Sequence, residues 1–271
     1  MRQICLVRRL IVRLRVALAS VLLLSLAFPV ASLAADKNSI IEDLVVANHI
    51  LAYKDVVDGY GNVSVRNPKN PNQYFMARSM APALVSKSDI MTFDLDNNPV
   101  GKDTREAYVE RFIHGEIYRA RPDVNAIVDC HSSALIPFGV TNIPLRPLSD
   151  MTAFIASGVP VFEIRDFRPA GEKNMLVNNR ELGQALARVL GKGAAALMRG
   201  HGAVIVGTSL SQVAGRSFYL DINAKLEMET IALGQPVSYL EPGEGMPSSA
   251  NLYRNDWEAW KNEVEEDEED D

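Results

Sequence analysis

The short apolar run Ala126-Ile127-Val128 is preceded by Arg121-Pro122-Asp123 and ends in Asp129-Cys130-His131. Bounded in this way and too short for a helix, it reads as a buried strand. Side chains alternate across a strand, so Asp129 and His131 can converge on one face while Cys130 points away. Downstream, the apolar run Ala194–Met198 leads into Arg199-Gly200-His201-Gly202, where flanking glycines let the chain approach another group closely. Upstream, Glu110 falls on a helix expected over Tyr108–Arg121, which feeds directly into the first strand. One aspartate, two imidazoles and a nearby glutamate make a hard-to-borderline divalent-cation site with room for a substrate. A lone D-x-H occurs by chance in many proteins, so the weight rests on the surrounding pattern. His49 and His114 lie on amphipathic helical segments, where a packed, hydrogen-bonded role is the default reading.

Elsewhere the periodicity predicts a helix over Ser39–Tyr53 and strands at Val63–Arg66, Gln73–Met76 and Ile90–Asp94. Asp96-Asn97-Asn98 turns into a further short strand at Pro99–Val100. Beyond the Glu110 helix, strands at Ala126–His131, Val159–Ile164, Ala195–Met198 and Ala203–Val206 alternate with helices at Glu181–Leu190 and Ser209–Leu233. Helices interspersed around a sheet give a layered α/β domain. No internal repeat or long linker divides it, and Tyr253, Trp257 and Trp260 read as packing residues.

The N-terminus has five arginines among residues 1–35, an apolar stretch from Val16 to Val30 and an exit at Ser32-Leu33-Ala34-Ala35. This is the layout of a secretory signal peptide, with cleavage expected after Ala34 or Ala35 and periplasmic or secreted localisation. An uncleaved anchor, or a wrongly assigned start on a cytoplasmic protein, is the alternative. Arg8-Arg9 hints at twin-arginine export. Loss of the segment leaves the chain five charges more negative than its full-length −6. It also removes Cys5, leaving Cys130 alone and no intramolecular disulfide. The expected organisation is a signal at 1–35, a domain at 36–262 and a solvated, disordered acidic tail at 263–271. With no basic stripe, nucleic-acid binding has no support, and no stable membrane association is expected after signal cleavage.

Four segments together resemble the class II aldolase/adducin family from about Ile40 to about Trp260. They are Asp58-Gly59-Tyr60-Gly61-Asn62-Val63-Ser64-Val65-Arg66, Glu110-Arg111-Phe112-Ile113-His114, the Arg121–His131 segment and Arg199-Gly200-His201-Gly202. The resemblance implies a three-layer α/β/α domain with a central, mostly antiparallel sheet, assembled as a homotetramer with active sites near subunit interfaces. It also implies a divalent cation, Mn2+ or Zn2+, on Asp129, His131 and His201, with Glu110 as acid/base. The chain departs from the family at Asp129, where a histidine is the rule; aspartate shifts preference from zinc toward manganese, iron or magnesium. Asp150 is a second departure, in a stretch where the nearest relatives are expected to carry histidine.

Sugar-phosphate members of the family hold phosphate with a T-x-S-G-like loop and a pair of serines before the glutamate. Here Ala77-Arg78-Ser79-Met80 and Tyr108-Val109 stand in those places, so the hydroxyl donors are largely missing. Arg78 offers a planar fork suited to a carboxylate, or else a surface ion pair. Ser79, Asn62 and His114 are candidate secondary contacts, to the substrate or in support of the site. The run Ala77–Val85, Ile136-Pro137-Phe138-Gly139-Val140 and Trp257-Glu258-Ala259-Trp260 resemble a branch that decarboxylates hydroxylated aromatic or pyridine dicarboxylates. The resemblance thus points to a metal-dependent carbon–carbon lyase, a decarboxylase or an aldolase, working on a small hydroxy-carboxylate through an enolate-like species. An aldolase or epimerase of sugars or sugar phosphates is the first alternative. A non-catalytic, adducin-like binding protein is the other.

Overall fold

The computed structural model describes residues 37–245 and 251–270. The expected signal segment and Cys5 lie outside them. The chain runs from helix α1 (Lys37–Tyr53) into strands β1 (Asn62–Arg66), β2 (Gln73–Ala77) and β3 (Ile90–Asp94), then helix α2 (Arg111–Ala120) and strand β4 (Ala126–Cys130). A short helix α3 (Ile136–Val140) precedes strand β5 (Val161–Phe162), helix α4 (Arg180–Leu190), strands β6 (Ala195–Met198) and β7 (Gly202–Gly207), helix α5 (Leu210–Ala232) and helix α6 (Arg254–Asp270). The strands form one sheet in the order β3-β2-β1-β4-β7-β6-β5, and every pair is antiparallel except β5 with β6.

Alternation along the strands divides the core in two. Val63, Val65, Ala126, Val128 and Cys130 face a layer in which Leu44 and Ile50 of α1, Val213 and Leu220 of α5, and Trp257 and Trp260 of α6 are buried. Ile127, Ala196, Val204 and Val206 face Ile113 and Ile117 of α2 and Leu182 and Leu186 of α4. The expected three-layer α/β/α domain is the observed one. Among the described residues no helix is long and apolar enough to cross a membrane.

The structure departs from the sequence reading at four places, each for a local reason. The helix expected from Tyr108 begins only at Arg111. Ala107 bridges Arg78 and the Tyr108 hydroxyl bonds the Met80 carbonyl, which hold this stretch in extended contact with the end of β2. The strand expected over Val159–Ile164 contracts to Val161–Phe162. Pro160 has no N–H to give a ladder, and the chain turns into a 3₁₀ helix at Ile164. Pro99–Val100 forms only an isolated bridge between Phe93 and Pro99, for the same reason. The acidic run from Glu263, expected as a disordered tail, is the continuation of α6 to Asp270. Trp257, Trp260 and Val264 recur at helical spacing and are all buried, and Glu263 pairs with Lys54, so the helix has an apolar stripe to anchor it.

Candidate metal centre

Four donors meet at one end of the sheet. Asp129 stands on β4, one residue before the strand ends, on the α2 face; His131 follows just past the strand. His201 sits in the tight turn joining β6 to β7, between Gly200 at φ +67° and Gly202 at φ +150°. A Cβ at Gly202 would lie 1.9 Å from the Cys130 carbonyl oxygen, so only glycine lets this turn press against the end of β4. Glu110 comes from the residue that precedes α2. One ligand atom from each of Glu110, Asp129, His131 and His201 lies within 4.8 Å of all the others.

His201 Nε2 stands 3.0 Å from His131 Nε2, 3.4 Å from Asp129 Oδ1 and 3.7 Å from Glu110 Oε2. Ligand atoms in a shell with bonds of about 2.1 Å are themselves about 3.0–3.4 Å apart, so the shorter of these spacings suit a divalent cation. The burial pattern agrees. Asp129 is fully buried, and its Oδ1 accepts no well-formed hydrogen bond, with His201 Nε2 near it only at 3.4 Å. A buried carboxylate oxygen without a donor is unfavourable, and a cation supplies the missing partner. Two imidazole nitrogens with two carboxylates form a borderline donor set that admits zinc, manganese or iron.

The cluster shifts its own titrations. Burial, then repulsion from Asp129, pushes the Glu110 carboxyl up to about 7. Burial opposes charge on His201, but Asp129, with Glu110 and Asp58 behind it, carries the imidazole up to about 9. Burial likewise works against the charged form of Asp129, yet His201 and His131 hold its carboxyl below the ordinary range.

Two supports were not assigned a role from the sequence. Asp58 Oδ1 lies 3.0 Å from His131 Nδ1 and also accepts the backbone N–H groups of Tyr60 and Gly61. The carboxylate thus places the proton on Nδ1 and leaves Nε2 to face the cluster. Its signal in the sequence is the turn Asp58-Gly59-Tyr60-Gly61, although nothing local links that turn to His131. The second support is the Val177 N–H, which donates to Glu110 Oε1 at 2.9 Å and leaves Oε2 toward the imidazoles.

The expected substrate contacts fare differently. Asn62 is 1% exposed, and its amide is engaged by Tyr60, Asp129 and His114, so it is an internal support and not a surface for substrate. Arg78 donates from its Nε to Asp89 at 2.7 Å, the ion-pair alternative, and Ser86 first, then Arg78, draw the Asp89 carboxyl down to about 2. Ser79 is partly exposed, and its backbone N–H bonds the Glu106 carbonyl. Asp150 is exposed at the start of a 3₁₀ turn and stands outside the donor group.

Residues 42–228 match the family described as class II aldolase and adducin N-terminal domain. The chain belongs to this family. It is 33% identical over 241 residues to the decarboxylase tropJ of Talaromyces stipitatus, covering 80% of this chain and 91% of that protein. It is 28% identical over 240 residues to the 3,4-dihydroxyphthalate decarboxylase of Arthrobacter keyseri, covering 82% and 92%. Among solved structures, the L-fuculose 1-phosphate aldolase of Glaciozyma antarctica superposes with a TM-score of 0.69 at 21% identity, covering 87% of this chain and 92% of that one. The family member described here therefore has the class II aldolase fold, decarboxylases among its relatives and a group of side chains able to hold a metal ion.

Proposed function

We propose that this protein is a divalent-metal-dependent carbon–carbon lyase that decarboxylates a small hydroxy-aromatic carboxylate. The observation that carries this reading is the convergence of Glu110, Asp129, His131 and His201 within 4.8 Å at the open ends of the strands. The names of the relatives that match over nearly their whole length support the reaction type. Asp129, His131 and His201 hold the cation, Mn2+ or Zn2+. When bound, it supplies Lewis-acid polarisation of a substrate oxygen, which favours carbanion character on the neighbouring carbon.

The chain's own residues supply the rest. As the carbon–carboxylate bond breaks, its electron pair stays on the substrate carbon and carbon dioxide leaves. Glu110, whose burial favours its protonated form, gives its proton to that carbon. The Val177 N–H holds Oε1 and so directs Oε2 to the reacting side. Asp58 keeps His131 in one tautomer. Arg78, tied to Asp89, presents its remaining guanidinium nitrogens beside Ser79 and orients a substrate carboxylate. We further propose that the protein is exported by residues 1–35 and works as a homotetramer.

The test is direct. Protein stripped with EDTA and reloaded with Mn2+ or Zn2+ should release carbon dioxide from 3,4-dihydroxyphthalate or a related hydroxy-aromatic carboxylate. Faster cleavage of fuculose 1-phosphate than of any such acid would return the protein to aldolase chemistry. Folded protein that binds no divalent cation would exclude both.

A further inference from the structure

A line of buried polar groups runs from the metal cluster into the layer between β1 and α2. Val63 and Val65 face the other core, so Asn62, Ser64 and Arg66 share the α2 face. One turn apart on α2, His114 and Tyr118 lie over them. Asn62 Nδ2 reaches Asp129 Oδ2 at 3.4 Å, the one long link. Asn62 Oδ1 meets His114 Nε2 at 2.6 Å, His114 Nδ1 meets Ser64 Oγ at 2.6 Å, and Ser64 Oγ meets the Tyr118 hydroxyl at 2.8 Å. Arg66 anchors the far end, bonding the Tyr118 carbonyl at 2.9 Å with its guanidinium 4.6 Å from the ring centre. None of Asn62, Ser64, His114, Tyr118 or Asp129 is more than 1% exposed.

The chemistry of these groups permits one assignment of hydrogens. An ionised Asp129 only accepts, so the Asn62 amide must turn its NH2 toward it and its carbonyl toward His114. His114 Nε2 must then carry a hydrogen. A fully buried imidazole stays neutral, which leaves Nδ1 bare to accept from the Ser64 hydroxyl, and Ser64 in turn accepts from Tyr118. Every donor along the line points toward the Asp129 end or is fixed by one that does. Only Oδ2 of Asp129 is held in this way, whereas Oδ1 lies bare against His201.

We propose that His114 is a positioning residue which, as the neutral Nε2–H tautomer, locks Asn62 so that Asp129 offers a cation one oxygen, Oδ1, and not both. This rests on the metal-binding role assigned above to Asp129, His131 and His201. A carboxylate can chelate through two oxygens or turn between them, and an imidazole cannot. Holding Oδ2 gives Asp129 the single, directed lone-pair donor that an imidazole would supply.

The experiment compares EDTA-stripped wild type with His114→Leu, His114→Gln, Tyr118→Phe and His201→Ala. Each is titrated with Mn2+ by calorimetry and with Co2+ by visible absorption, whose intensity reports coordination number. His114→Leu should bind Mn2+ about 10–100-fold more weakly and show a fainter Co2+ spectrum as Asp129 becomes bidentate. His114→Gln, which restores a donor to Asn62, should recover most of both, and Tyr118→Phe should show a smaller loss. Long-range 15N–1H spectra of histidine-labelled wild type should show the Nε2–H tautomer for His114 at neutral pH, whether or not any variant folds. An Nδ1–H tautomer or an imidazolium there overturns the proposal, as does a His114→Leu protein with wild-type affinity and spectrum. If wild type itself binds neither ion, or binds them unchanged in His201→Ala, it is the metal site that fails and not the role of His114.

Discussion

The central strands carry unlike concavities at their two ends. At one end, Asp129 of β4 and the turn before β7 bring carboxylates and imidazoles together within 4.8 Å. At the other, a cavity of about 500 Å3 lies among Ile40, Val65, Leu210 and Trp257, edged by Asn125 and Ser209. The same strands serve both: β4 starts beside the cavity and finishes in the cluster. The cavity offers volume and apolar wall, with Asp43 and Arg66 in its lining but, among the described residues, no imidazole and no cluster of metal-ligating donors. Convergence of donors at strand ends, and not the size of a hollow, marks the candidate site.

The sharpest way to break this comparison is to remove a donor. His201→Ala should abolish stoichiometric metal in elemental analysis and lower activity by more than the roughly 100-fold that loss of a supporting contact brings, with the fold intact by circular dichroism. Retained metal would mean the cluster is no more a site than the cavity is. Next, Glu110→Gln should keep the metal yet slow decarboxylation by about 100- to 10,000-fold, read as kcat with little change in metal affinity.

A smaller effect tests the polar line that joins the two ends. Burial holds His114 neutral, its pKa drawn down from 6.5 to about 4. The unfolded chain takes up a proton there below pH 6.5, the folded chain only below about 4. Stability from this group is therefore complete above 6.5 and falls as pH drops through that window, by about 3 kcal/mol in all. Denaturant melts in EDTA should show this acid limb in wild type and a shallower one in His114→Gln. Smallest of all, Ser209 caps α5 by accepting the Gln212 N–H at the cavity rim. Ser209→Ala should lower stability by about 1 kcal/mol and leave kcat/KM unchanged. A loss of activity there would assign the cavity a part in the chemistry.

Much of the molecule was legible because its signals are local. The apolar run into Asp129, the glycines around His201 and the helix-strand alternation each specify an element and the face it presents. What escaped the sequence depends on pairings between distant segments. Asp58 orients His131 across 73 positions of chain, and Glu110 is held by a backbone N–H from the loop before α4. Asn62 was read as a substrate contact because it is polar and near a motif, yet it is enclosed by β1 and α2. Arg78 was read as a carboxylate fork or an ion pair, and local sequence does not announce that its Nε reaches Asp89, 11 positions away. The acidic end was read by charge alone, although Trp257, Trp260 and Val264 already spelled a buried helical stripe.

The two rims of the sheet have a consequence for association. On one side β5 has two residues and follows Pro160; on the other, the Asn98 carbonyl and the Val100 N–H bond to Asp94 and Thr92, so the returning segment occupies the free edge of β3. Among the described residues neither rim presents an open ladder for another chain to extend. Strand-to-strand addition through these rims is disfavoured, which leaves the helices and loops as the surfaces better suited to association.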